Sequence, residues 1–282
     1  MFKNLKKAAR ELEEIRALSG LMANLQTETY IRQFLYNNPK YQDAKRLTRY
    51  EHKGFSQHGE DGMIEEIFRR IKTTSQFFVE FGCGKHGTEN NSLLLLLKGW
   101  QGIWMEYKPV YVERIKSKFK PLIDKGRLSV WCACITSENI NEVFAECQVP
   151  REFDLLSIDI DGNDYWVWQA LTGFSPRVVI MEYNAIFPPS MPWVMKENLK
   201  HKWDGTSHFG ASLKSLELLG ARKGYKLVGC DFGGGNAFFV REDLAGDLFL
   251  APFTAENHYE PPRYFLARQQ GHPRNFGDFE IK

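Results

Sequence analysis

Cysteine is scarce in this chain and never falls in a CxxC pair: Cys83, Cys132, Cys134, Cys147 and Cys230 are all there are. That odd count and spacing exclude a disulfide framework and a zinc-finger ligand set, and fit reduced thiols of a cytoplasmic protein. Cys132 and Cys134 alternate along one predicted strand and share a face. A metal pair is open to them, but two packed core thiols are the expectation. Long apolar runs are also missing. The leucine run Leu93 to Leu97 falls far short of the ~20 residues a membrane-spanning helix needs. No apolar segment follows Lys3, Lys6, Lys7 and Arg10, so no secretory leader is expected. An excess charge of one sign is lacking as well. Lys and Arg number 37 against 35 Asp and Glu, a net charge of +2, which gives no field to draw nucleic acid.

What is present is apolar bulk: 282 residues, 43% hydrophobic and 14% aromatic. That is enough for one α/β domain of ~200–250 residues with extensions. The organising stretch runs from Phe77 to Glu106. An apolar strand, Phe77 to Phe81, breaks at Gly82, Gly84 and Gly87. A helix-sized segment follows, then a second apolar strand ending on Glu106. This is a βαβ unit of about 30 residues. Glycines at such a turn let backbone N–H groups approach a ligand, and a carboxylate closing the second strand suits a ribose hydroxyl pair. Gly82-x-Gly84-x-x-Gly87 also fits the dinucleotide fingerprint, so an NAD-dependent oxidoreductase or epimerase is one reading. Glu80 opposes it, because a carboxylate under the turn repels a pyrophosphate. It suits the amino group and sulfonium of S-adenosylmethionine. A glycine-rich turn without any ligand is the third reading.

Residues 1–50 stand apart. Phe2, Leu5, Ala9, Leu12, Ile15, Met22 and Leu25 recur at three-to-four spacing between charged residues, an amphipathic helix with a break placed at Gly20. Three roles are open: packing on its own domain, a homo-oligomer seam, and a basic membrane-surface helix. Met63, Ile64, Ile67, Phe68 and Ile71 line a second helix. Its polar start lies over a cofactor pocket or caps the helix. Strands are expected at Leu128 to Cys134, Phe153 to Ile160 and Val178 to Met181, with helices between them. The stretch from Ala185 to about Gly210 is long for a compact domain and reads as a binding loop. Tyr225 to Cys230 and Asn236 to Val240 flank Gly233-Gly-Gly235 and read as a β-hairpin. The divisions expected are 1–50, a helical extension; 51–250, the α/β domain; and 251–282, a wrapped tail.

Ser56-Gln-His-Gly-Glu-Asp61, Val79-Glu-Phe-Gly-Cys-Gly84, Gly99-Trp-x-Gly-Ile103, Asp159-Ile-Asp-Gly162, Glu182-Tyr-Asn184, Gly210-Ala-Ser-Leu213 and Lys223-Gly-Tyr225 with Asn236-Ala-Phe-Phe239 occur in order. As a set, across roughly 55–240, they resemble the FkbM-type S-adenosylmethionine-dependent methyltransferases. The resemblance implies a Rossmann-like class I methyltransferase fold, with a seven-stranded, mostly parallel sheet and a terminal antiparallel hairpin. It implies O-methylation of a sugar, glycan or related metabolite. It places Gln57 near the methionine end of the cofactor, with Glu80, Gly82, Cys83 and Gly84 around it. Glu106 would hold the ribose, Cys134 would border the adenine, and Asp159 would close the cofactor side. Asn91 would reach the cofactor carboxylate, or else is a helix-start residue.

A second constellation, Asp159, Asp161, Glu182 and Asn184, ends two adjacent strands, where open α/β sheets bind ligands. Hard oxygen ligands there suit Mg²⁺ or another divalent cation. Related small-molecule O-methyltransferases place a metal here with an acidic pair after the fifth strand, and this chain has Tyr183 in place of the second acid. A capped turn at Asp161-Gly162 is the alternative. Asp161 and Glu182 are the expected catalytic acids. His208 is the first candidate base and His86 the second, each set against a structural role. The leading expectation is therefore an S-adenosylmethionine-dependent O-methyltransferase with a small-molecule or glycan substrate, forming a homo-oligomer. A non-catalytic scaffold with a retained fold is the third class.

Overall fold

A computed structural model describes residues 2–266 together with Arg274 and Phe279. One sheet holds β1 Phe77–Phe81, β2 Gln101–Glu106, β3 Leu128–Cys132, β4 Glu152–Ile158, β5 Ser175–Glu182, β6 Tyr225–Cys230 and β7 Asn236–Arg241. Their spatial order is β3-β2-β1-β4-β5-β7-β6. The first five strands are parallel, and β7 runs antiparallel to both β5 and β6. This is the Rossmann-like sheet of the class I methyltransferase fold, closed by the expected hairpin. The helices are α1 Phe2–Ile31, α2 Glu60–Ile71, α3 Leu93–Leu97, α4 Pro109–Lys118, α5 Lys120–Asp124, α6 Ile140–Glu146, α7 Asp164–Ala170 and α8 Leu213–Arg222.

Helices cover both faces, which is why the central strands read as continuous apolar runs. Side chains alternate between two core layers. Val79, Phe81, Ile103 and Met105 join one layer with α6, α7 and α8. Phe78 and Trp104 join the other with α2, α3 and α4. Met63, Ile64, Ile67, Phe68 and Ile71 of α2 are all buried there, as their spacing requires. Asp154 and Arg177 pair at 2.6 Å under the early part of β4 and β5. Asp154 also accepts from Thr74 and Gln76, and Arg177 donates to the carbonyls of Ile71 and Lys72.

Four expectations are corrected. β3 ends at Cys132, and Cys132 and Cys134 are exposed. β3 is an edge strand, so the core takes up only part of it. The helix after the turn is a single five-residue segment. α1 passes Gly20 without a break, and none of residues 6–26 is buried. Packing on its own domain is therefore overturned for that part. Leu12, Ile15, Leu18, Leu21, Met22 and Leu25 stand exposed on it. Contact with the body begins at Thr27 and continues through Ile31, Leu35, Tyr41 and Leu47.

The fourth correction concerns the tail. Ala255–His258 is a helical turn, and Glu260 behind it is wholly buried. Glu260 accepts from the Tyr41 hydroxyl at 2.8 Å and pairs with Lys40 at 2.7 Å and Arg263 at 2.9 Å. The tail therefore fastens the segment after α1 to the body. The rest of the expected tail, apart from Arg274 and Phe279, lies outside the described residues. Among the described residues, no helix is long and apolar enough to cross a membrane.

Candidate functional site

The site begins at the turn after β1. Gly82 has φ +85 and Gly84 φ +63, the left-handed region that glycine adopts at least cost. A Cβ on Gly82 would lie 1.4 Å from the Asp159 carbonyl oxygen, so β4 leaves no room for any side chain. A Cβ on Gly84 would meet nothing within 4 Å. The turn is open there to a ligand. The Gly84 N–H donates to Glu106 Oε2 at 3.0 Å, and the Lys108 N–H donates to Oε1 at 3.0 Å. Glu106 therefore ties the turn to the end of β2. Burial holds its carboxyl above the usual carboxylate range, against the pull of those two N–H groups.

Glu80 is held within the protein itself. Its side chain lies in the layer with Trp104, where it accepts from the N–H of Asn91 at 2.8 Å and of Ser92 at 2.9 Å. It also accepts from the Ser92 hydroxyl, which itself accepts from Trp104 Nε1 at 2.8 Å. Both carboxylate oxygens thus hold the start of α3 against β1. Asn91 is likewise committed, with Nδ2 donating to Ser157 Oγ at 3.1 Å. The neighbouring Asn90 is different: it is buried, and its Nδ2 has no partner among the described residues. Burial and then Glu80 push the buried Cys83 thiol well above its usual range, with the Asn90 side chain acting against them. No sequence signal separates Asn90 from Asn91, because only the loop path decides which amide is free.

Asp61 shapes the loop before α2. Its Oδ2 accepts from the N–H of Gly54, Phe55 and Ser56 and from the Ser56 hydroxyl. Gln57, at the tip of that loop, is exposed. Cys134 is exposed just past β3.

The acids at the ends of β4 and β5 converge. Each of Asp159, Asp161 and Glu182 places a carboxylate oxygen within 4.8 Å of the others. Asp164 builds the turn that presents them, accepting from the N–H of Ile160 and of Gly162 at 2.8 Å each. Within this turn Asp161 takes φ +58, a left-handed conformation costly for a residue with a side chain. Burial, then Asp164 and Asp161, push Asp159 well above the carboxylate range. Burial, then Asp159, does the same to Glu182. Asp161 is raised by burial alone, with Lys108 and His201 acting against it.

Asn184 is engaged with the long loop, its Oδ1 accepting from the Ile186 N–H at 3.4 Å. Its Nδ2 donates to the carbonyls of Ser207 and Phe209, at 2.8 and 3.0 Å, so it fastens the long loop. That loop closes on the same end of the sheet. Met195 N–H bonds Gly210 O, Gly210 N–H bonds Gly162 O, and Asn163 exchanges hydrogen bonds with Asn198. His201 is brought onto Gly162: a Cβ on Gly162 would meet the His201 ring at 2.4 Å. Its Nε2 is buried without a partner among the described residues. His208 is exposed, its ring centroid 6.2 Å from that of His201. His86 lies elsewhere, on an open groove of about 540 Å³ with Val110, Glu113, Arg114, Ser117 and Lys118. That groove includes none of Asp159, Asp161 and Glu182.

No family model and no curated protein match this chain. Among solved structures it is similar to a Staphylococcus aureus protein described as a caffeoyl-CoA O-methyltransferase, at 12% identity and TM-score 0.47, covering 77% of this chain and 99% of that one. It is similar to the small RNA methyltransferase HEN1 at 17% identity and TM-score 0.41, covering 64% of this chain and 25% of that one. WbdD gives 15% identity and TM-score 0.39, over 64% of this chain and 39% of that one. The chain spans a quarter of HEN1 and well under half of WbdD.

Proposed function

We propose that this chain is an S-adenosylmethionine-dependent O-methyltransferase acting on a hydroxyl of a sugar, glycan or related metabolite. One observation carries the reading: the open Gly84 turn, fixed by Glu106, shares the carboxyl end of the sheet with three converging acids. The first half is a nucleoside-cofactor cradle, and the second is an acceptor pocket. The residues present fit the cofactor. Gly84 leaves space for a ribose beside Glu106, and the unpartnered Asn90 amide supplies a donor for a carboxylate. Glu80 acts at one remove, by holding the loop that carries Asn90.

The bound cofactor supplies an electrophilic methyl group on a sulfonium. The chain positions the acceptor oxygen in line with it, worth effective molarities of about 10⁵–10⁸ M in favourable cases. Asp159, Asp161 and Glu182 form an oxygen-only ligand set suited to Mg²⁺, and they hold either a cation or the acceptor hydroxyl. His201 and His208 face this end from the long loop as imidazole bases. A small-molecule or glycan acceptor would meet the aromatic pair Phe187 and Trp193, stacked with ring centroids 4.3 Å apart, Trp193 lying 6.2 Å from the His208 ring. The expected homo-oligomer rests on the exposed stripe of α1. The test is calorimetric titration with S-adenosylmethionine, followed by transfer of a labelled methyl group into host glycan and metabolite pools. Absence of cofactor binding by the folded chain would end the proposal.

A further inference from the structure

A second polar cluster lies behind the β6–β7 turn. His58 comes from the loop before α2, Glu60 from the first residue of α2, and Asp231 from the residue after β6. All three are buried, Glu60 and Asp231 completely. Glu51 faces the same cluster and accepts from the Phe232 N–H at 2.6 Å.

Most oxygens here are committed. Glu60 accepts from the His58 N–H and from Asn236 Nδ2, both at 2.9 Å. Asp231 Oδ1 accepts from the N–H groups of Gly235 and Asn236. Two atoms are left over: His58 Nδ1 and Asp231 Oδ2 are buried with no hydrogen-bond partner among the described residues. Such orphans are costly, most of all when the group is charged. They also point at one another. His58 Nδ1 lies 3.5 Å from Glu60 Oε1 and 4.0 Å from Asp231 Oδ2. All three ligand atoms fall within 4.8 Å of each other.

Spacings of 3.5 and 4.0 Å are long for hydrogen bonds and are those of loose ion pairs between the imidazole and the two carboxylates. A tetrahedral ion with bonds of about 2.0–2.2 Å has ligand-to-ligand edges of about 3.3–3.6 Å. The first spacing matches that edge, and the second closes with a shift of a few tenths of an ångström. The neighbouring glycines complete the enclosure. A Cβ on Gly233 would lie 2.8 Å from Asp231 Oδ2 and 3.1 Å from the His58 ring. The turn therefore wraps against the cluster without a side chain of its own.

We propose that His58 Nδ1, Glu60 Oε1 and Asp231 Oδ2 form a buried site for a zinc-like divalent cation. The imidazole ligand selects a transition metal over Mg²⁺. The cation would pin the loop at 51–58, the start of α2 and the terminal hairpin to one another. It is distinct from the three acids at the ends of β4 and β5, and it does not depend on methyl transfer.

The test is the metal content of the full chain produced in zinc-supplemented medium, measured in an Asp161→Ala background so that the other acids cannot hold the ion. About one equivalent of zinc per chain is expected, falling more than tenfold when His58→Gln is added. Cobalt in place of zinc should give the visible bands of a tetrahedral site in the Asp161→Ala chain, a reading that does not need the His58 variant to fold. Less than a tenth of an equivalent of zinc in Asp161→Ala, zinc retained in the His58→Gln chain, or absent cobalt bands would each overturn the site.

Discussion

Gly82 abuts the main chain of Asp159 so closely that a single methyl group at position 82 would sit on the Asp159 carbonyl oxygen. The cofactor turn and the acid-bearing turn are therefore in backbone contact. Two glycines two residues apart should respond differently to alanine. Gly82→Ala combines a left-handed backbone with a backbone clash and should cost about 2–4 kcal/mol of stability. Gly84→Ala meets only the backbone penalty, about 1–2 kcal/mol, yet its methyl group fills the ligand space. Denaturant unfolding beside cofactor calorimetry separates them. Equal stability losses in the two variants would refute the contact.

Glu106 should matter to binding and to the turn together. Glu106→Ala removes the acceptor of the Gly84 N–H and, under the proposed function, the ribose hydrogen bonds as well. Cofactor affinity is expected to fall by about 1.5–3 kcal/mol, the range for hydrogen bonds to a charged group. Glu80→Gln keeps the shape but weakens the hold on Asn91 and Ser92, so it should lower thermal stability as well as affinity. Unchanged affinity in both folded variants would remove the cradle assignment.

Asp161→Ala and Glu182→Ala are expected to abolish methyl transfer while cofactor affinity stays within a few-fold. If the three acids hold a cation, chelation stops transfer and Mg²⁺ or Mn²⁺ restores it. Full turnover after exhaustive chelation would leave His201 or His208 as the base. His201→Ala should then be the more damaging of the two, since that ring rests on Gly162.

His258 should make stability fall in acid. It is buried beside Arg46, and burial, then Arg46, push its imidazole down to about 3. Its protons bind to the unfolded chain first, so stability is full above about pH 6.5 and is lost as pH drops toward 3, at up to about 1.4 kcal/mol per unit. Raised carboxyls elsewhere in the fold, such as Glu51 and Asp231, act with the opposite sign. The contribution is therefore read as the difference between wild type and His258→Gln across that range. A difference independent of pH would contradict the buried neutral histidine.

Residues 2–26 are expected to serve assembly. Removing them should lower the mass seen in light scattering and leave cofactor binding intact, because buried contacts start at Thr27. An unchanged mass would count against the oligomer seam.

Sequence alone determined the order of strands and helices along the chain, because a parallel strand buried on both faces is mostly apolar, as Phe77–Phe81 is apart from Glu80 and Phe153–Ile158 apart from Asp154 and Ser157. It also located the turn glycines and the converging acids, whose places at strand ends follow from that order. It could not assign the polar partners. Glu80 reads as a ligand group until the strand's facing turns it toward Ser92. Asn184 reads as a metal ligand until the long loop takes up its amide. The stripe on α1 has the period of a packed helix, but periodicity names a face and never its neighbour. His58 and Asp231 come from opposite ends of the domain, and His201 reaches Gly162 from an irregular loop. Those meetings were decided only by tertiary closure, since side-chain direction and loop path depend on contacts distant in the chain.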